Sequence, residues 1–465
     1  MSHSKMNAQI LQIYNCAVNA VKGMNVIRNR ISIVENNLFV SDFNESSYVY
    51  DLKNTRVYVI GAGKAVFGLC QAFLSVVDDY NKKSHNSRNI IKIESGILSV
   101  PFGLKLEESN FLNKYNIQVE FAAKNNLPDE NSVKATSSII QLLEKIKCEA
   151  KTGAHSLIIS FISGGGSALL SLPKQNISIQ EKREFISQLA KSGCDINELN
   201  KVRRCLSLVK GGKLAKIALK NSENVQMLNL IASDVIGDSM SAIASGPTFI
   251  DFSENPSSDA LQVICKYKVN VPDKIKHLIE SEQKMDEQMP SLRNVLLVNN
   301  SIAVREAQKT ASSLGYKVVD MGTNIIGEAS QVGKIWAEIA KSEELKNYSQ
   351  VAWVGGGETT VTISCNSSGV GGRCQEMALS FFNEMLENKN VSFLAAGTDG
   401  QDGPTPVAGC VVSGIVNNWK PEAQKALLEH NSYSFWKKYF PASLVNTNGP
   451  TGVNVMDIYC MLKIK

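Results

Sequence analysis

Histidine is scarce in this 465-residue chain, and the five present (His3, His85, His155, His277 and His430) stand at no spacing that a catalytic triad or a zinc site would use. The ten cysteines, from Cys16 to Cys460, include no C-x-x-C pair. That argues against both a disulfide framework and a zinc ribbon, and reduced thiols in the cytosol are the simplest account. No serine occupies a G-x-S-x-G elbow, so acyl transfer and zinc-assisted hydrolysis are unsupported. No run approaches the roughly 18 consecutive apolar residues of a membrane span. A formal charge of +5, from 49 basic and 44 acidic residues interleaved along the chain, makes no dense basic face for a nucleic acid. It suits a small anionic ligand.

What is present is enough chain for more than one core, since single cores stop growing beyond roughly 250 to 300 residues. Two domains are expected, over 1–270 and 285–465, with the charged, proline-marked stretch 251–290 as the boundary region. Near the N-terminus Ile10, Ile13, Tyr14, Ala17, Val18 and Val21 follow helical spacing, where a secretory leader would be continuously apolar. The segment reads as part of the fold, which favours a cytoplasmic protein over a mitochondrial one.

Six segments repeat one pattern, an apolar β-type run followed by glycine or small polar residues and usually a helical stretch. They are RVYVIGAGKA (56–65), SLIISFISGGGSA (156–168), VQMLNLIASDV (225–235), NVLLVNNSIA (294–303), QVAWVGGGETT (350–360) and VSFLAAGTDG (391–400). Near-continuous apolar strands alternating with amphipathic helices predict the α/β class, with parallel sheets covered on both faces. Ligands of such sheets gather beyond the carboxyl ends of the strands, where all of these clusters fall.

Gly164, Gly165 and Gly166 let the backbone approach a ligand, and a helix opened by Ser167 would aim N–H groups at an anion; a tight turn alone needs fewer glycines. GAGKA (61–65) fails the dinucleotide fingerprint at Val66 and lacks the Gly-Lys-Ser/Thr of a P-loop, leaving Lys64 as a cation at a helix start. Arg203 and Lys210 lie in the basic stretch 201–213, either a solvated helix face or an anion site, with Gly211 and Gly212 interrupting it. Asp234 and Asp238, four apart after a strand, can hold Mg²⁺ or take a hydroxyl proton, or serve as turn formers. The stretch 355–380 reads as a hairpin whose second turn delivers Arg373 to a helix start, as a phosphate clamp or as the partner of a nearby carboxylate. Asp399 and Asp402, among glycines, have a composition that binds hard metals or hydroxyls. Together these groups fit phosphoryl transfer, which rests on positioning and charge neutralisation.

GAGKA at 61, SGGGSALL at 163, VRRCLSLVKGGKLA at 202, SDVIGDSMSAIASGPT at 233, GGETTVT at 356, GGRCQEMAL at 371, AGTDGQDGPT at 396 and GPTGVNVMD at 449 give the chain its resemblance, nearly end to end, to the glycerate kinases of the MOFRL type. The resemblance implies a larger Rossmann-like N-terminal domain with a parallel sheet, a smaller C-terminal α/β domain and an active site in the interdomain cleft. It implies phosphorylation of D-glycerate by ATP with Mg²⁺, typically at the 2-hydroxyl, with neither nucleic acid nor membrane as partner; a homodimer is compatible with it. By motif, Lys64 and Arg373 become the catalytic cations and Asp234 the residue that orients or deprotonates the hydroxyl. Gly164, Gly165, Gly166, Ser167, Arg203 and Lys210 fall on the substrate or phosphate side. Glu358, Asp399 and Asp402 fall on the nucleotide side, with Asp238 and Asp399 toward the metal. The chain departs from the family's pattern at Cys205 (usually histidine), at Cys374 (usually asparagine) and at Lys124–Asn126, where the family has Gly-His-Pro. An NAD(P)-dependent hydroxypyruvate reductase and a non-catalytic binder of glycerate or nucleotide are the competing readings.

Overall fold

The computed structural model describes residues 3–43, 46–84, 90–104, 112–285, 288–342, 347–363, 368–385, 388–415 and 419–465. The chain forms two compact units, one of residues 26–297 and one of 1–25 with 298–465.

The 26–297 unit begins with an antiparallel meander, β1 (Ile31–Val34), β2 (Asn37–Ser41) and β3 (Ser47–Asp51). Its main sheet comprises β4 (Thr55–Ala62), β5 (Ile93–Pro101), β6 (Ile117–Ala122), β7 (His155–Ile162), β8 (Val225–Ala232) and β9 (Leu292–Val298) in the order β6-β5-β4-β7-β8-β9. The β4–β5, β5–β6, β4–β7 and β7–β8 pairs are parallel. Strands β4, β7 and β8 are buried almost throughout, as their unbroken apolar runs require. One face takes the helix Val66–Lys83, whose Phe73 meets Phe161 at 6.0 Å between ring centroids. The other buries Tyr58, Ile60 and Ile158 against Ile139, Leu143 and Ile146 of the helix Glu130–Ala150. The chain adds strands to one side of β4 and then resumes on the other side with β7. That reversal is the switch point at which open α/β sheets bind ligands, and it lies between the ends of β4 and β7.

The second unit carries β10 (Lys317–Asp320), β11 (Gln350–Gly357), β12 (Asn388–Gly397), β13 (Gly409–Ile415), β14 (Leu444–Val445) and β15 (Asp457–Ile464) in the order β10-β11-β15-β12-β13-β14. The expectation of parallel sheets throughout is corrected here, because only the β10–β11 neighbours are parallel and the other four pairings are antiparallel. The cause is β15, which returns between β11 and β12 against both of them. Its first residue, Asp457, is thereby the register partner of both Gly357 and Gly397 at the carboxyl ends of those strands.

The division expected at 1–270 and 285–465 differs from these units in two places. The helix His3–Val21 packs on the helix Asn300–Ser313 and on β12, burying Met6, Ile10, Ile13, Tyr14 and Ala17. The charged stretch 251–290 is no linker. Its helices Pro256–Tyr267 and Asp273–Glu280 bury Ala260, Val263, Ile264, Ile275 and Ile279 against the helix Ile196–Cys205. Charge there marks the outer face of amphipathic helices. No helix among the described residues is long and apolar enough to cross a membrane.

Candidate active-site loops

At the switch point, two loops of the 26–297 unit are stitched together through their backbones. The Lys64 N–H donates to the Gly164 carbonyl at 2.8 Å, and the Ala65 N–H donates to Ser163 Oγ at 3.0 Å. This approach needs Gly63, where a Cβ would stand 2.1 Å from Ser163 Oγ. The three glycines that follow each make room for a different neighbour. A Cβ on Gly164 would lie 1.8 Å from Asp234 Oδ2, one on Gly165 3.0 Å from Lys64 Cγ, and one on Gly166 2.7 Å from the Ala244 methyl. The run is thus a bare-backbone platform on which Asp234 and the Lys64 stem rest. The N–H groups of Gly164 and Gly165 donate to no acceptor among the described residues, which leaves them free for an anion.

The helix after the platform is short, Gly166–Leu169, and Ser167 is its second residue instead of its opener. Ser167 Oγ meets Ser245 Oγ at 3.1 Å, Ser245 Oγ donates to Asn200 Oδ1 at 3.1 Å, and Arg203 Nη1 donates to the same oxygen at 3.2 Å. Lys64 itself stands two residues before the helix Val66–Lys83, ahead of its N-cap Ala65, with an exposed side chain. Burial raises the Asp234 pKa above the usual carboxylate range, and its own backbone N–H and the Lys64 charge draw it back. A carboxylate made more basic in this way is suited to accept a proton. Asp238, on the same strand-end loop, is half-buried in a left-handed conformation, φ 54°.

Lys210 does not reach a ligand site as expected from the sequence. Its ammonium donates to the carbonyls of Ser167, Leu170 and Ala244 at 2.9, 3.2 and 3.2 Å, using all three donors. It braces the platform from behind. Gly211 and Gly212 are both left-handed, at φ 62° and 80°, and reverse the chain so that their N–H groups donate to the Ser245 and Gly246 carbonyls.

In the other unit, Arg373 is the first residue of the helix Arg373–Glu384. Its Nε and Nη2 donate to Asp457 Oδ2 and Oδ1 at 2.6 and 2.8 Å, and Nη1 lies 3.2 Å from Glu358 Oε1. Burial opposes the guanidinium's charge, but the Asp457 carboxylate outweighs it and holds the pKa above the ordinary value. The carboxylate-paired reading of Arg373 is therefore the observed one, and Glu358 is its second partner. The hairpin expected before Arg373 has no second strand among the described residues, and its tip, 364–367, lies outside them.

Asp402 turns inward, away from any nucleotide role. Its Oδ1 accepts from the Cys374 N–H at 3.1 Å, and its Oδ2 accepts from the Gln375 N–H and amide at 2.9 and 2.8 Å. It thus satisfies the opening turn of the Arg373 helix, and Gly372 is required because a Cβ there would stand 2.2 Å from the Asp402 carboxyl carbon. Burial pushes the Asp402 carboxyl up to about 6. Asp399 is half-buried beside Gly397, and its Oδ1 accepts from the Gln401 N–H at 3.0 Å. Among the described residues no three of His, Cys, Asp and Glu gather as a metal cage.

Reading of the residues alone missed Asp457, whose signal was its place at the end of the last quoted motif.

One unit has a doubly covered sheet with a basic, glycine-rich loop pair at its switch point, and the other carries an arginine clamped by a buried carboxylate; the chain is of the two-unit α/β class. Residues 9–280 match the model of a domain of unknown function, DUF4147, and residues 351–457 match the MOFRL family. A glycerate 2-kinase of Pyrococcus horikoshii is 33% identical over 96% of this chain and 95% of its own. A D-glycerate 2-kinase of Thermotoga maritima is 31% identical over 87% and 89%. The crystal structure of a Thermotoga maritima glycerate kinase superposes with a TM-score of 0.78 at 28% identity, covering 99% of this chain and 100% of that one. The chain belongs to the MOFRL-type glycerate kinase family.

Proposed function

We propose that this protein transfers the terminal phosphoryl group of ATP to D-glycerate, at the 2-hydroxyl. The observation that supports the reading is the platform at the switch point, where three strand-end loops bring Lys64, two backbone N–H groups without an acceptor among the described residues and a basic carboxylate together in a member of this family. In this reading the glycerate hydroxyl oxygen attacks the terminal phosphorus, the bond to the ADP oxygen breaks, and the hydroxyl proton passes to Asp234. Lys64 and the Gly164 and Gly165 N–H groups neutralise charge on the transferring group, which is where phosphoryl transfer needs the protein most. Arg373, oriented by Asp457, supplies a second cation to the same reaction.

Mg²⁺ belongs to the proposal as a nucleotide-borne ion. Such an ion takes most of its oxygens from phosphates and water and needs one or two carboxylates. Asp399 or Asp238 would supply one, and among the described residues no cluster of His, Cys, Asp and Glu would hold the metal alone. The reductase alternative lacks its fingerprint, since Val66, fully buried at the first helical position, occupies the place of the third glycine.

An ADP-release assay with D-glycerate, paired with phosphorus NMR of the product, tests the reading. ATP-dependent formation of 2-phosphoglycerate is expected. Formation of the 3-phosphate would overturn the position, and no turnover with either substrate enantiomer would overturn the activity. Asp234 makes a second expectation. A base must lose its proton to work, so kcat/KM should fall with decreasing pH through a pKa above the ordinary aspartate value, and Asp234→Asn should abolish that limb along with most activity. A parent profile flat down to pH 4 would remove Asp234 from the role.

A further inference from the structure

Lys182 lies on the helix Ile179–Lys191, which opens with a capping box between Ser178 and Glu181. Ile179, Phe185 and Leu189 of that helix are buried, and helical spacing puts Lys182 on their stripe, only 5% exposed. Its ammonium has no hydrogen-bond partner among the described residues. The stripe packs on the helix Ile196–Cys205, which carries Arg203. Arg203 is half-buried, and among the described residues its guanidinium donates to the neutral amide oxygen of Asn200.

Lys182, Lys210 and Arg203 therefore share this part of the 26–297 unit, and among the described residues none of these three is paired with a carboxylate. The charges acting on Lys182 are those of Lys213 and Arg203, and those acting on Lys210 are Lys182 and Arg203. Lys213 is answered by Glu282 at 2.7 Å, whereas Lys182 and Arg203 have no such answer. Burial, with Lys213 and Arg203, pulls the Lys182 pKa down to about 7, and burial lowers Arg203 as well. Cations removed from water and grouped without a counter-charge are costly, and an entering oxyanion relieves that cost. The position is joined to the glycine platform through the chain of hydrogen bonds from Arg203 by Asn200 and Ser245 to Ser167, whose carbonyl Lys210 binds.

We infer that Lys182 and Arg203 form a small-oxyanion subsite beside the platform, taking a carboxylate or a phosphate group between the ammonium and the guanidinium. The inference rests on the function proposed above for the source of the oxyanion, which is then either the carboxylate of glycerate or a phosphate of the nucleotide.

The test uses the full chain and two variants, Lys182→Met and Arg203→Gln. KM and kcat are measured for each substrate, and Tm is measured with D-glycerate, ATP or inorganic phosphate added singly. Each variant is expected to raise one KM by about tenfold or more, a larger factor than its loss in kcat, and to lose the Tm rise given by the same ligand. A change confined to glycerate assigns the carboxylate, and one confined to ATP assigns the nucleotide phosphate. Lys182→Met replaces a buried charge with an apolar chain of similar length, so it should fold, and Arg203→Gln gives an independent reading. Unchanged KM values and Tm responses in both variants would overturn the subsite. Should the parent chain lack glycerate kinase activity, the function fails by itself while the Tm responses still decide the subsite.

Discussion

Lys64→Ala is expected to lower kcat by about 10³-fold while leaving Tm within about 2 °C of the parent. The two halves of this expectation come from different atoms of one residue. The Lys64 amide does the structural work, donating to the Gly164 carbonyl, and alanine keeps it. The side chain is exposed and lies over a glycine, so its removal opens no cavity. What disappears is the ammonium, a preorganised cation at the switch point, and the loss of one such donor costs about 10² to 10³ in rate. A second reading separates this from a general disturbance. The Lys64 charge draws the Asp234 pKa down, so without it that pKa rises and the acid limb of the residual activity moves to higher pH. Activity within a few-fold of the parent would remove Lys64 from the mechanism. An equal loss in Tm and activity would mean that the side chain supports the fold.

Strand identity was legible because burial on both faces leaves an unbroken apolar run. All six quoted segments became strands; β7, β8 and β9 end where small polar residues begin, whereas β4, β11 and β12 run on into the first glycines of their segments. The platform was legible too, as three glycines exceeding the needs of a turn, but the tenants of those glycines were not. Asp234 comes from a strand end 70 residues further on, and no local pattern announces that its carboxylate occupies the missing side chain of Gly164.

The errors share a cause: they concern partners far apart in sequence. Lys210 and Arg203 look alike in a basic stretch, yet one has its three donors consumed by carbonyls and the other has a single neutral partner. Asp402 has the composition of a metal ligand and serves instead as the cap of a helix 29 residues earlier in the chain. The N-terminal helix has a plain amphipathic pattern, but a pattern gives a buried face without naming its mate. Here Tyr14 of that helix donates to the Gly397 carbonyl at 2.6 Å, at the same strand end that carries Asp457.

Asp457 sets the largest expected effect on stability. It is fully buried, accepts two hydrogen bonds from Arg373 and one from the Tyr459 hydroxyl, and heads a strand held on both sides. Removing one partner of a buried pair leaves the other charge uncompensated, at about 3–5 kcal/mol, and Arg373 retains a quarter of its side-chain exposure, which favours the lower end. Asp457→Ala is therefore expected to lower Tm by roughly 6–12 °C, taking about 2–4 °C per kcal/mol for a unit of this size. It should also lower kcat nearly as far as Arg373→Ala does, because an unclamped guanidinium no longer has a fixed direction. The double variant decides whether the clamp is the cause. If the cost arises from the orphaned charge, Asp457→Ala combined with Arg373→Ala is less destabilised than the sum of the single variants by at least about 1 kcal/mol. Strict additivity would mean that Asp457 supports the strand end through Tyr459 and its backbone register, and that Arg373 takes its orientation from Glu358.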